Sequence, residues 1–307
     1  MATATTLVDA AAGDGPTGEL ERRRQAQTRV RWELLVQLVR KDLKVKYQNS
    51  ALGFAWSLLN PLFLLAVYSF VFVYVLKAGI PKFPVYLMSG LLAWNVFAGA
   101  TAAGATSVTG NSGLVKKVRF PLLVLPLSSV GFVLVHFVLQ LGVFLAVLLA
   151  FDVHFWGVQL LLFPLAVSLV VVLASASAIL VSAINVRYRD TEHFIELLLF
   201  AWFWASGAIF ASGLIATATH SRRWGPRVFF ADPPATVIAL MHRVFYPDVH
   251  ATTGGGARTP GGASVLPAGG YRWYVEQWGV AMVLSLLLLW AARRVFRRMQ
   301  ADFAEEL

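Results

Sequence analysis

The sequence has no cysteine, which excludes disulfides, zinc–thiolate sites, iron–sulfur clusters and cysteine nucleophiles. Charged residues are also scarce: they make up 14% of the 307 residues, against about 25% in a typical soluble protein. Hydrophobic residues reach 58%. Because so few charges remain to cover an outer surface, the composition argues against a soluble enzyme and against a disordered chain. It predicts an integral membrane protein.

The usual catalytic and nucleotide-binding motifs are missing as well. There is no G-x-x-x-x-G-K-[ST] loop and no Gly-Lys dipeptide, so no Walker-type site for ATP phosphates is expected. Neither an Asp-x-Asp pair nor a His-x-x-x-His pair occurs, so the sequence predicts no metal, no cofactor and no enzyme activity on this chain. His136 lies inside a long apolar run, and we interpret it as a packed, neutral imidazole hydrogen-bonded to a neighbouring helix.

Six apolar stretches are long enough to cross the ~30 Å hydrocarbon core of a bilayer as helices. They cover residues 54–76, 85–109, 122–151, 158–184, 194–215 and 275–292. The second stretch ends in a run of small residues, 98–107, that permits close helix approach. The expected fold class is therefore an all-α integral membrane protein with six transmembrane helices.

The distribution of Lys and Arg among the loops indicates which side of the membrane each loop faces. The loop at 116–119 has three cations and the loop at 187–189 has two, whereas the loop at 151–157 on the opposite side has none. By the positive-inside rule both termini lie in the cytoplasm. We expect a multi-pass protein of the bacterial cytoplasmic membrane.

The remaining segments predict four domains. Residues 1–28 are expected to be a disordered cytoplasmic tail without a signal peptide, 29–48 an amphipathic interfacial helix, 49–292 the transmembrane domain and 293–307 a cytoplasmic tail. The helix at 29–48 is either a charged topology anchor or a partner contact. The external segment 216–274 contains a short helix at 235–245, expected to be re-entrant or interfacial, and a glycine-rich flexible loop at 252–270.

Residues 40–62 read R-K-D-L-K-V-K-Y-Q-N-S-A-L-G-F-A-W-S-L-L-N-P-L. This stretch resembles the opening signature of type-2 ABC exporter permeases for polysaccharides and polyol phosphates. Two later motifs, K-K-V-R-F-P at 116–121 and N-V-R-Y-R-D at 185–190, are similar to loops of the same family. The D-P-P-A stretch at 232–235 resembles the N-P segment before the family's outer helix, with Asp in place of Asn.

The resemblance implies a homodimeric permease that works with two copies of a separate ATPase subunit. ATP and Mg would be bound by that partner. The implied substrate is a lipid-linked glycan such as O-antigen, galactan or teichoic acid, and a galactan-type polymer is slightly favoured by the alanine- and arginine-rich composition. Membrane lipids are the other expected contacts, and no nucleic acid is expected.

The loop between the second and third spans is the expected contact with the ATPase. We predict that 111–121 is a coupling segment seated in a groove of that subunit, although the positive-inside rule alone also explains its cations. The predicted coupling residues are Lys116, Lys117, Arg119, Phe120 and Pro121, together with Arg40 and Asp42 of the N-terminal helix.

Aromatic residues are the candidates for a substrate pathway. Sugar rings pack their C–H faces on aromatic planes, and repeated weak contacts let a polymer slide. The alternative is a lipid-facing aromatic belt. The predicted pathway residues are Tyr68, Phe72, Tyr74, Trp94, Phe97, Trp202 and Trp204.

Two other functions remain open at this point. A permease of the same fold can export a small molecule or drug, although the motif at 40–62 favours a glycan. A polyprenol-dependent membrane glycosyltransferase is the enzymatic alternative, and the lack of acidic clusters argues against it.

Overall fold

The computed structural model describes residues 16–48, 55–77, 80–117, 120–150, 152–153, 156–210, 229–246, 265–267 and 270–307. Within these ranges all regular elements are helices. The α-helices are α1 (Pro16–Tyr47), α2 (Trp56–Ser69), α3 (Phe83–Ala105), α4 (Ser112–Lys117), α5 (Val124–Ala150), α6 (Leu162–Arg187), α7 (Thr191–Ala205), α8 (Pro233–Phe245), α9 (Tyr271–Met299) and α10 (Phe303–Glu306). A π-helical turn, Phe70–Val75, continues α2. Short 3₁₀ segments occur at Thr109–Asn111 and Val158–Leu161.

Four helices in the described ranges have the length and apolar composition needed to cross a membrane. They are Phe83–Ala105, Val124–Ala150, Val158–Arg187 and Tyr271–Met299. These helices coincide with the second, third, fourth and sixth predicted spans.

The first and fifth predicted spans form shorter helices. The α2 helix has 14 residues before its π-helical continuation, and α7 has 15 residues. At about 1.5 Å per residue, α7 is ~22 Å long, which is shorter than the hydrocarbon core. Residues 211–228, where the fifth predicted span ends, lie outside the described ranges. The count of six spans therefore stays a prediction.

Helices α3 and α6 form the centre of the bundle, and small residues bring them together. A Cβ atom on Gly104 would lie 2.6 Å from the Cα atom of Ala178, so a side chain has no room there. Thr101 and Ser177 hydrogen-bond through their hydroxyls at 2.7 Å. The close approach predicted from the small residues at 98–107 is thus present.

The N-terminal helix is longer than predicted. It begins at Pro16, so the expected disordered tail does not include residues 16–28, and residues 1–15 lie outside the described ranges. Proline is favourable in the first helical turn, and the Glu, Arg and Gln residues that follow are good helix formers. Part of the apolar face of α1 packs on α5, where Val39 is buried against Gly131. Its place at the membrane interface stays a prediction.

The short helix expected at 235–245 is present as α8. The Asp232 carboxylate caps it by accepting a hydrogen bond from the Ala235 backbone N–H at 3.3 Å. Nearly all residues of α8 are buried, and it packs against α3, α6 and α9. Its re-entrant position stays a prediction, and most of the glycine-rich loop at 252–270 lies outside the described ranges.

The C-terminal segment is an extension of the last predicted span. Helix α9 continues through Met299, and α10 folds back so that Phe296 and Phe303 are buried with ring centroids 5.3 Å apart. Both rings belong to a second apolar cluster, separate from the main core. This cluster also receives the partly buried side chains of Val115 and Phe120.

Candidate coupling and substrate sites

The predicted coupling residues that the structure describes lie at one end of the bundle. Lys41 of α1 donates a hydrogen bond to Asn111 Oδ1 at 2.8 Å and lies 3.1 Å from the Asp42 carboxylate. The Asn111 side chain in turn donates to the backbone oxygen of Ser107 at 2.8 Å. These contacts tie the α1 segment that contains Arg40 and Asp42 to the start of the coupling segment. Sequence reasoning did not single out Lys41.

Two described cations of the coupling segment, Lys116 and Lys117, are exposed, as a docking surface requires. Lys116 and Lys117 end the short helix α4, while Phe120 is half-buried against the second apolar cluster and Pro121 is exposed. Helix α10 packs against α4. Arg119 lies outside the described ranges. The apolar contacts of Val115 and Phe120 hold the segment against the bundle, while Lys116 and Lys117 lie on its surface.

The predicted pathway aromatics belong largely to one cluster shared by α2, α3 and α7. The Phe203 ring connects them, since its centroid lies 6.5 Å from that of Tyr68 and 5.5 Å from that of Trp94. Phe97 packs against Trp202 with centroids 5.5 Å apart. Phe203 and Phe210 also belong to this cluster, but they were not among the predicted pathway residues.

The members of this cluster differ in exposure. Phe72, Trp94 and Phe97 are buried within the single chain, where they pack the core. Trp204 is 41% exposed and Tyr74 is 72% exposed. The exposed rings are available to substrate, lipid or another copy of the chain, and the pathway assignment stays a prediction.

Asp232 joins the aromatic cluster to α8. Its Oδ2 atom accepts a hydrogen bond from the Trp202 indole N–H at 3.1 Å as well as from the Ala235 backbone N–H. Burial raises the pKa of the Asp232 carboxyl above its ordinary value, although both hydrogen bonds act in the opposite direction. The carboxylate therefore anchors α8 to α7 at an electrostatic cost.

Tyr47 and His136 form a hydrogen-bonded polar group inside the bundle, and this group was not among the predicted functional sites. The Tyr47 hydroxyl lies 2.5 Å from His136 Nε2, and His136 Nδ1 lies 2.9 Å from the Phe132 backbone oxygen. With the imidazole proton on Nδ1, that nitrogen donates to Phe132 and Nε2 accepts from Tyr47. The interpretation of His136 as a packed imidazole bonded to a neighbouring helix is thus supported.

Two adjoining cavities of about 490 and 360 Å³ lie beside this group. The residues common to their walls are Lys46, Asn95, Gly99, His136 and Gln140. Asn95 donates a hydrogen bond to Gln140 Oε1 at 3.2 Å, which joins α3 to α5. Polar residues within apolar spans are the sequence signal for such a site. Among these wall residues, the sequence analysis singles out only His136.

A larger cavity of about 830 Å³ lies elsewhere, between α1, the segment before α5 and the end of α9. Three arginines line it: Arg31, Arg293 and Arg297. Trp32 and Leu122 contribute apolar surface. All three guanidinium groups belong to exposed residues, so this cavity is an open basic surface.

The long apolar helices, the buried small-residue packing and the polar groups in the bundle define an all-helical, multi-pass membrane protein. The ABC-2 type transporter family model matches residues 33–228, which include the coupling segment and the whole aromatic cluster. The chain belongs to this family.

Curated relatives agree with the family match. An O-antigen export system permease protein RfbA from Myxococcus xanthus is 30% identical over 275 residues, which cover 89% of this chain and 95% of the relative. Two proteins of the same name from Klebsiella pneumoniae are 32% and 33% identical over 189 residues, which cover 60% of this chain and 71% of each relative.

Proposed function

We propose that this chain is the membrane-spanning permease subunit of an ATP-driven exporter that moves a lipid-linked polysaccharide of the O-antigen type across the cytoplasmic membrane. The observation that carries the proposal is the similarity to a protein named as an O-antigen export permease along 89% of this chain. The aromatic cluster of α2, α3 and α7 supports it, because aromatic faces suit sugar rings. Galactan is the particular polymer we favour.

The working assembly in this proposal contains two copies of the chain and two copies of a separate ATPase subunit. Each copy crosses the membrane six times, with both termini in the cytoplasm. The chain contains no Walker motif, so ATP and Mg are assigned to the partner. The exposed cations of α4, Lys116 and Lys117, together with Arg119 and the α1 segment at 40–42, form the docking surface.

The test is reconstitution. The chain is co-purified with a candidate ABC ATPase subunit, and the complex is placed in proteoliposomes with lipid-linked glycans of different chemistry. We expect ATP-dependent translocation of a lipid-linked glycan, and no ATP hydrolysis by this chain alone. Export of a small molecule instead, or glycosyl transfer without an ATPase, would contradict the proposal.

The same assay tests the coupling segment. Replacing Lys117 by Glu reverses a charge at the end of α4 and should abolish glycan-stimulated ATP hydrolysis while the chain still assembles in the membrane. Lys117→Arg is the matched control, because it keeps the charge and should retain activity. Normal export by the Glu variant would rule out a coupling role for this residue.

A further inference from the structure

The cavities beside His136 contain a cation that has no anionic partner among the described residues. Lys46 Nζ lies 3.5 Å from His136 Nε2, and it faces the rings of Phe132 and Tyr47 at 5.1 and 5.9 Å from their centroids. No carboxylate of the described ranges pairs with it, although Lys41 and Arg29 of the same helix have such partners. Lys46 is exposed and lines both cavities, so its ammonium group is accessible to a negatively charged ligand.

Lys46 also lies beside the middle of a membrane-spanning candidate helix, where a charged side chain is unusual. His136 lies twelve residues into α5, which is about 18 Å along the helix at ~1.5 Å per residue. Because α5 is a membrane-spanning candidate, Lys46 reaches well into the depth of that helix. Charged side chains at such depth usually serve ligands or ion pathways.

The walls of the cavities have the chemistry of a sugar-binding surface. The hydrogen bond between Asn95 and Gln140 uses one amide hydrogen and one carbonyl oxygen, so further donors and acceptors on both amides are available for hydroxyl groups. Trp56, which is 57% exposed, lines one of the two cavities and supplies an aromatic side chain for contact with a sugar. Small residues of α3, namely Ala98, Gly99, Ala102 and Ala103, also line the cavities, and their small size leaves the space empty.

An apolar surface continues from the cavities along α2. Leu64 lines the cavity and is 38% exposed, and the neighbouring side chains of Leu59 and Phe63 on the same helix are exposed as well. A hydrocarbon chain can lie on this surface while its polar head enters the cavity. The combination of a cation, amides, an aromatic face and an adjoining apolar track matches one ligand class: a phosphorylated sugar attached to a lipid.

We propose that the Lys46–Asn95–His136–Gln140 cavity binds the phosphosugar headgroup of the lipid-linked glycan before export. Lys46 contacts the phosphate, the two amides contact sugar hydroxyls, and Tyr47 and His136 hold the lysine in place. This inference rests on the proposed function, since it names where the substrate of that function first binds.

The test measures binding rather than export. The full-length chain is placed in nanodiscs of phosphatidylcholine, and the dissociation constant is measured for an isoprenoid diphosphate linked to one N-acetylhexosamine and for the same isoprenoid diphosphate without sugar. We expect Lys46→Gln to weaken binding of both probes at least tenfold. The Asn95→Leu and Gln140→Leu variants should weaken only the probe that contains the sugar. Lys46→Arg, which keeps the charge, should retain binding of the diphosphate.

Two matched controls locate the effect. Lys44→Gln makes the same charge change on the same helix at a residue outside the cavity walls, and Arg293→Gln removes a cation from the larger basic cavity. Both should bind the probes as the unaltered chain does. Equal affinity of Lys46→Gln and the unaltered chain, or loss of binding in Arg293→Gln instead, would overturn the proposal.

Bulk lipid is the other source of a phosphate, and it is tested by competition. Phosphatidylglycerol added to the nanodiscs should not displace the sugar-linked probe at equal mole fraction. If it does so with the same dependence on Lys46, the cavity is a general phospholipid site and the inference is wrong. Reconstituted export is scored separately, so a complex that exports glycan normally with Lys46→Gln overturns this site and leaves the proposed function intact.

Discussion

At the scale of single residues, Asp232 shows how one side chain connects distant elements. Its carboxylate accepts hydrogen bonds from Trp202 of α7 and from the first turn of α8, while burial raises its pKa. The related family motif has Asn at this position. An amide keeps a hydrogen-bond acceptor and avoids the burial of a charge, so the two residue types differ chiefly in how their stability depends on pH.

We predict that Asp232→Asn is at least as stable as the unaltered protein at pH 7. A carboxyl whose pKa is raised on folding favours the folded state below its unfolded pKa of about 3.9 and loses that contribution as pH rises through the folded value. The difference in thermal midpoint between the Asn variant and the unaltered protein should therefore grow from pH 4 upwards. Thermal unfolding in detergent between pH 4 and pH 8 measures it.

Asp232→Ala is the comparison, because it removes the acceptor as well. Loss of a helix N-cap costs roughly 0.5–2 kcal/mol, so this variant should melt below both others at every pH. If the Asn variant and the unaltered protein keep a constant difference across the range, the carboxyl does not titrate in the folded state as described.

At the scale of elements, the α3–α6 contact depends on the absence of a side chain. The backbone of Ala178 lies where the Cβ atom of residue 104 would be. Next to this contact, Asn185 donates a hydrogen bond to the Ala105 backbone oxygen at 2.9 Å, and Thr101 bonds to Ser177. These polar contacts require the two helices to stay at their present distance.

We predict that Gly104→Val destabilises the bundle by about 1–3 kcal/mol, the usual cost of overpacking. Since neither the Cα nor the Cβ atom of Ala178 can move without its helix, the helices must separate. Gly142→Val on α5 is the matched control, because nothing lies within 4 Å of a Cβ atom there. Thermal midpoints in detergent should fall for the first variant and change little for the second. Equal midpoints would exclude tight packing at Gly104.

At the scale of the whole molecule, the exposed apolar surface must be covered by lipid or by a second copy. Two such surfaces adjoin the aromatic cluster: the π-helical continuation of α2 with Tyr74, and α7 with Phe200, which is 68% exposed. Helix α9 has its own exposed residues, including Leu287 at 58%. In a dimer whose substrate passes between the copies, the helices that contribute the aromatic cluster face the partner, and α9 faces lipid.

The absence of cysteine makes this arrangement directly testable. We predict that Tyr74→Cys and Phe200→Cys chains, mixed in one membrane, are joined by a short bis-maleimide into a covalent dimer. Leu287→Cys should give none, and denaturing electrophoresis separates the products. Cross-linking through Leu287 but not through Tyr74 and Phe200 would show that the two copies meet through α9, which contradicts the prediction.

Much of this architecture follows from local properties of the chain. Length and mean hydropathy are read residue by residue, so the four long helices could be located, and Asp-Pro-Pro marked the start of α8. The π-helical end of α2 and the short α7 were not predicted, because an apolar run does not show where a helix ends. The early start of α1 was missed because a polar sequence is equally compatible with a helix and with a disordered segment.

The contacts between residues that are distant in the sequence could not be predicted from local properties of the chain. Lys46 and His136 are 90 residues apart, and Lys41 and Asn111 are 70 apart, yet each pair meets in the folded chain. Hydropathy assigns a residue to a span but not to a face of the helix or to a neighbour. The sequence alone therefore predicts that this is a helical membrane protein, and it indicates the family. Lys46 lies beside the polar cavity only because packing brings α1, α2, α3 and α5 around the same space.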